Sequence, residues 1–175
     1  MENRVTQPQL KIKDRIVPAA LAAVLTSAAS ITLLEQLEGN ILYVYPDKLA
    51  GGIPTYCAGK TDWKMPVGKT FTSDQCKEVN KTTLISYGYK ILECTKWEFL
   101  TPKRLTSLIM FGINVGTAAA CNSQAVKLIN TGQIKAGCRI IAYTPSNQPN
   151  WSYSGGKYVQ GLHNRRIKEM NLCYE

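Results

Sequence analysis

Apolar and polar positions change rhythm several times along the chain, and the first change is the sharpest. After a polar start, residues 16–34 form an uncharged run of nineteen residues between Arg15 and Glu35. As a helix it would extend about 28 Å, just enough for a bilayer core. The run is only weakly apolar, because six of its residues are alanine and Thr26, Ser27, Ser30 and Thr32 carry hydroxyls. A helix of that kind inserts marginally and can leave the membrane at tolerable cost. A cleaved secretory signal, a permanent anchor and a buried helix of the domain compete with that reading. The polar start carries Arg4, Lys11, Lys13 and Arg15 against Glu2 and Asp14. Under the positive-inside rule it stays cytoplasmic and places everything after Glu35 outside the inner membrane.

Beyond the run the pattern shortens. Residues 41–61 are rich in Tyr, Val and Ile and broken by Pro46, Gly51-Gly52 and Pro54, which predicts short strands joined by turns. Thr72-Ser73-Asp74 is an N-cap cluster ahead of a helix over 75–92. Thr101-Pro102 starts another, with proline at its first position and the apolar stretch 105–113 following. Residues 122–130, 133–143 and 161–173 read as further helices, and no internal repeat is present. The class is α+β, a small β-hairpin region ahead of a mainly helical body. Three units follow: a short cytoplasmic N-terminus (1–15), a membrane-inserting helix (16–34) and one domain (35–175).

Charge and cysteine narrow the setting. With 21 Lys+Arg against 12 Asp+Glu the 175-residue chain is +9, and residues 36–175 alone are +8, so an anionic partner is expected. Six cysteines at 57, 76, 94, 121, 138 and 173 contain no C-x-x-C spacing, which removes zinc-finger and thioredoxin motifs. They read as three disulfides in an oxidising compartment, with fifteen pairings open. That inference and the export signal are independent and agree. Nucleic acid falls to last place among partners, because export separates the protein from it and the charges are dispersed. No cofactor and no metal site is expected: the single histidine, His163, excludes multi-histidine mechanisms.

The stretch from Glu38 to Asp47 (EGNILYVYPD) carries the chemistry. It sets one carboxylate at the end of the uncharged run and a second nine residues on, before a Gly-rich turn. Two carboxylates flanking a cleft are what glycosidic cleavage requires: one protonated to donate to the leaving oxygen, one ionised to activate water or stabilise positive charge. Thr55 offers a hydroxyl that positions the water. The plainer reading is a helix-terminal Glu and a turn Asp, both solvated.

Glu38-Gly39…Tyr45-x-Asp47…Gly52-x-x-Thr55-Tyr56-Cys57-x-Gly59-x-Thr61 resembles the active-site signature of the phage lysozymes of glycoside hydrolase family 24. Phe111-x-x-Asn114-Val115-Gly116 resembles the family's central-helix motif. Trp151-x-Tyr153-x-Gly155-Gly156-Lys157 with Gly161-Leu162 and Arg165-Arg166 resembles the C-terminal motif of its lambdoid branch. The likeness runs over residues 35–174, and the weak leader is similar to the signal-arrest-release segment of endolysins in that branch.

The resemblance implies a mainly helical lysozyme-like fold and a monomer. It makes Glu38 the general acid, with Asp47 and Thr55 holding the attacking water for an inverting hydrolysis. The substrate it implies is the β-1,4 bond between N-acetylmuramic acid and N-acetylglucosamine in peptidoglycan. It places Asn114 and Gly116 in substrate binding and pairs Cys57 with Cys76, Cys94 with Cys121 and Cys138 with Cys173. It also implies an enzyme anchored in the inner membrane through residues 16–34 and then released to the periplasm, where it serves host lysis. Two features depart from the pattern: Asp47 and Thr55 stand two residues further apart than is common, and Lys60 replaces a frequent histidine. The alternatives are a lytic transglycosylase acting on the same bond and a catalytically inactive wall-binding protein. His163 is expected on the surface of the last helix. Arg165 and Arg166 are expected in ion pairs or on a solvated face, and Trp63, Trp97 and Trp151 either in packing or as sugar platforms.

Overall fold

The computed structural model describes residues 10–175; residues 1–9, with Glu2 and Arg4 of the polar start, lie outside the described part. Lys11–Ile12 (β1) and Arg15–Ile16 (β2) form a small antiparallel hairpin. Ala19–Val24 (α1) and Ala28–Glu38 (α2) follow. The uncharged run is therefore not the single helix expected over 16–34, and two residues break it. Pro18 has no N–H to continue a helical ladder and sits as the N-cap of α1, at ψ 135°. Ser27 is extended and its Oγ accepts from the Ser30 N–H at 3.1 Å, which starts a second helix instead of continuing the first. Among the described residues no helix is long and apolar enough to cross a membrane. Here the segment lies on the domain, and Ile12, Val17, Leu21, Val24, Leu25 and Leu34 join its main core.

Ile41–Asp47 (β3), Ile53–Cys57 (β4) and Lys60–Thr61 (β5) make a three-stranded antiparallel sheet in that order. Val44, Tyr56, Cys57 and Cys76 form a small core of its own beneath it, with Phe71 stacked on Tyr56 at 4.9 Å between centroids. Ser73–Cys94 (α3) begins at a capping box, in which Thr72 and Gln75 satisfy each other's backbone N–H. The helix outruns its predicted end by two residues.

Pro102–Val115 (α4) runs through the centre of the main core, with every residue from 104 to 112 buried. Around it lie Thr117–Asn122 (α5), Gln124–Ile129 (α6), Ile134–Arg139 (α7) and Gln160–Tyr174 (α8). A two-stranded hairpin, Tyr153–Ser154 (β6) and Lys157–Tyr158 (β7), precedes α8. Neither α5 nor this hairpin was expected from the periodicity, since six residues and two-residue strands carry too little of it to register. Disulfides join Cys57 to Cys76, Cys94 to Cys121 and Cys138 to Cys173, closing loops of 19, 27 and 35 residues. Each such loop contributes roughly 3–4 kcal/mol by restricting the unfolded chain.

Candidate active site

Glu38 is the last residue of α2, and Gly39, at φ 81°, turns the chain from that helix into β3. The carboxylate is partly exposed, with Oε1 turned inward at 2.7 Å from Arg165 Nη2. Arg165 reaches it from α8, donating also from Nη2 to the Met110 carbonyl at 3.0 Å and from Nε to Glu169 Oε1 at 2.9 Å. Arg166 completes the set: its Nε stands 2.8 Å from Glu169 Oε2, and its guanidinium lies over the Phe111 ring at 5.2 Å. Two carboxylates and two guanidiniums thus close a quartet between the end of α2 and α8, with α4 beside it. Glu169 is held further by Ser107, whose Oγ donates to its backbone carbonyl at 2.6 Å.

The electrostatics of the quartet follow from its depth. Burial pushes the Glu169 carboxyl up, and Arg166 and Arg165 pull it part of the way back. Burial likewise lowers the Arg166 guanidinium, with Glu169 opposing. For Arg165 burial works downward too, but Glu38 and Glu169 together outweigh it and hold its guanidinium above the ordinary value. Arg165 is therefore a fixed positive charge behind Glu38.

In front of Glu38 lies a polar cleft of about 180 Å³, lined by Lys60 and Thr61 of β5, Thr83 and Tyr87 of α3, and Ile113 of α4. Larger hollows lie elsewhere; one of about 660 Å³ beside α7 and Tyr174 contains no carboxylate.

Asp47 ends β3. The Ala50 N–H donates to its Oδ1 at 3.3 Å and the Gly52 N–H to its carbonyl at 2.7 Å. The additional residues between Asp47 and Thr55 are taken up in the tip of the hairpin, where Lys48–Ala50 forms a 3₁₀ turn. Thr55 is buried and its hydroxyl donates to the Ile53 carbonyl at 3.0 Å, leaving its lone pairs as acceptors. Register relates these residues: Asp47 pairs with Ile53, Tyr45 with Thr55, and Thr55 with Thr61. Side chains alternate along a strand and paired residues share a face, so Asp47, Tyr45, Thr55 and Thr61 stand on one face of the sheet. Thr61 is the member that also lines the Glu38 cleft. Tyr45 responds to this setting: burial first, then the Asp47 carboxylate, push its phenol up.

Asn114 and Gly116 are exposed at the C-terminal end of α4, Gly116 capping it at φ 88°. Neither is in the cleft lining, although their neighbour Ile113 is. His163 is not the surface residue expected on the last helix. It is buried, with Nδ1 3.2 Å from Ser152 Oγ and its ring against Tyr143 and Tyr158. The tertiary fold puts the hairpin over the first turn of α8, which no helical pattern foretells. Of the tryptophans, Trp63 is exposed, Trp97 is buried and Trp151 meets Phe111 edge to face. Glu169 and the link from Arg165 to Glu38 were missed in the sequence. The i,i+4 spacing of Arg165 and Glu169 was the available signal.

A small sheet and a helical body meeting at a carboxylate beside a polar cleft is the arrangement of a lysozyme-type glycosidase. The chain belongs to the phage lysozyme family, whose model matches residues 35–169. It is 30% identical over 162 residues to the SAR-endolysin of Bacteriophage PS119, covering 90% of this chain and 91% of that protein. To the SAR-endolysin of Enterobacteria phage P21 it is 31% identical over 156 residues, covering 88% and 86%. Among solved structures, P22 lysozyme superposes with a TM-score of 0.72 at 24% identity, covering 85% of this chain and 97% of that one. The muramidase domain of SpmX from Asticaccaulis excentricus gives 0.71 at 20% identity, covering 86% and 97%. The protein is a peptidoglycan-degrading glycosidase of the lysozyme class.

Proposed function

We propose that the protein is an endolysin that hydrolyses the β-1,4 bond between N-acetylmuramic acid and N-acetylglucosamine, with Glu38 as its general acid. The observation that carries this reading is the one-sided engagement of Glu38. Arg165 holds Oε1 on the inner side, which leaves Oε2 to the cleft that Glu38 lines, and as general acid Glu38 donates its proton from there. That proton goes to the glycosidic oxygen as the C–O bond breaks. Asp47 and Thr55, on the sheet face that continues from Thr61, hold the water that attacks the anomeric carbon from the other side. Asp47 takes the water's proton, and the configuration inverts. Asn114 and Gly116, which follow Ile113 at the C-terminal end of α4, serve substrate binding.

Residues 16–34 supply the regulation. In the membrane they form one tethering helix that keeps Glu38 three residues from the bilayer and away from the cleft. On release to the periplasm they fold as α1 and α2 on the domain and deliver Glu38 to Arg165. The docked arrangement of residues 10–38 and the two SAR-endolysin relatives support this reading.

The deciding assay clears permeabilised Gram-negative cells with the oxidised protein, beside Glu38→Gln, with products analysed by mass. The variant is expected to lose about 10²–10⁴-fold in rate, and the parent to leave reducing ends. Products with a 1,6-anhydro ring would move the enzyme to the lytic transglycosylases; binding without clearing would make it a wall-binding protein. Replacing Ala22, Ala23, Ala28 and Ala29 by leucine is expected to trap the tethered form. Lysis by that variant at the parent's speed in energised cells would rule out release as the trigger.

A further inference from the structure

The hairpin before α8 exposes aromatic surface that the reaction does not use. Trp151, Tyr153 and Tyr158 are 36%, 52% and 44% exposed, and the two tyrosines meet edge to face at 5.8 Å across the strands. The arrangement is built from below. Gly155 and Gly156, at φ 55° and 76°, make the tight turn that two-residue hairpins need. Trp151 itself holds φ 51°, a left-handed conformation that a bulky residue adopts at a cost, with its N–H 3.1 Å from Asn150 Oδ1. Its ring is fixed on Phe111 at 5.3 Å, and buried His163 supports Tyr158 at 5.9 Å.

Helix register gives the location. Arg104 donates to the Cys173 carbonyl, Ser107 to that of Glu169, and Arg165 to that of Met110, so α4 and α8 run antiparallel. Continuing the same steps sets Ile113 and Asn114 of α4 beside the first turn of α8, where the hairpin enters. The aromatic surface thus adjoins the end of the cleft that Ile113 lines. A polar rim leads from one to the other. The Tyr158 hydroxyl donates to Gln160 Oε1 at 3.1 Å and Gln160 Nε2 to Asn164 Oδ1 at 2.8 Å, and Asn164 precedes the arginine that holds Glu38. Residues 150–164 contain no acidic side chain and one lysine.

We propose that Trp151, Tyr153 and Tyr158 form an extension of the glycan-binding cleft that takes sugar rings of the strand beyond the bond being cut. Flat aromatic faces suit the apolar faces of pyranose rings, while the amide and hydroxyl rim suits their hydroxyl edges. The proposal rests on the glycan-cleaving reading above and adds a binding site to it.

Calorimetry with peptide-free glycan strands, prepared from sacculi with an amidase, tests it in the full oxidised chain carrying Glu38→Gln. Adding Tyr153→Ala and Tyr158→Ala is expected to weaken binding about tenfold, whereas Tyr153→Phe and Tyr158→Phe, which keep the rings, stay within about twofold. Alanine variants binding as well as the parent would overturn the proposal, as would equal losses in the alanine and phenylalanine pairs. A loss confined to strands that still carry stem peptides would assign the surface to peptide and overturn it too. Wild-type protein that releases no reducing ends from the same strands would sink the hydrolytic reading separately, with the binding comparison still deciding the site.

Discussion

α2 and α8 meet at one ion pair, yet they are held in the molecule by different means. α8 buries His163, Arg165, Arg166, Glu169 and Cys173, is bolted to α7 by Cys138–Cys173, and hydrogen-bonds to α4 at three levels. α2 fully buries only Ser30 and Leu34 and has no cross-link. On the proposed reading the residue that meets substrate sits on the weakly held helix, and the arginine that receives it sits on the strongly held one. Under the release proposed above, the difference separates two tasks: α8 keeps a charged socket in place, and α2 fills it. A binding element drawn from the low-stability end of a protein can move without unfolding the rest.

The largest effect that sharpens the contrast is Glu169→Ala. It leaves two buried guanidiniums with one partly exposed carboxylate, and about 3–5 kcal/mol should be lost in denaturant unfolding. Glu38→Gln, at the α2 end of the same network, should cost less than half as much while lowering the rate by the factor given above. Equal losses would erase the distinction between socket and plug. Opening the 35-residue loop with Cys138→Ser and Cys173→Ser should cost roughly 3–4 kcal/mol and lower the global midpoint.

Two smaller changes act on the docked segment alone. Gly88 of α3 has no Cβ, and one built there would collide with the Leu25 side chain and come within 3.2 Å of Ile109 Cδ1. Gly88→Ala should therefore lift residues 19–34 at a cost of about 1–3 kcal/mol. Faster amide exchange confined to that segment, with reduced turnover, is the expected readout; uniform exchange across α8 would show the two regions to be one unit. Ser27→Ala removes the cap that starts α2 and should cost about 1 kcal/mol, visible as fraying of the first turn of α2 by the same method.

Local chemistry was legible in the sequence where it is self-contained. Thr101-Pro102 ahead of an apolar run predicted α4, and Thr72 predicted the start of α3, because caps depend on residues three positions away. That Glu38 closes a helix and Asp47 ends the strand after it was legible too, because the turn signals on either side of that strand are local. The uncharged run was harder. Its composition reports transfer to an apolar phase but not which one, and its two breaks, at Pro18 and Ser27, look minor beside nineteen uncharged residues. The role of Arg165 depends on the register of α8 against α4 and on where α2 lands, which no local pattern encodes. His163 turned inward for the same reason, since what covers it is a hairpin too short to announce itself.

All three cross-links lie between Cys57 and Cys173, and the first 56 residues contain no cysteine. On the proposed reading, with Glu38 as the donor and residues 16–34 as the tether, maturation and arming are separate events. The body can be oxidised, proofread and stockpiled with its proton donor still elsewhere, and bringing the donor home needs no redox chemistry, only a segment changing its address. A population of such molecules would be fully assembled and wholly silent, and could be discharged together.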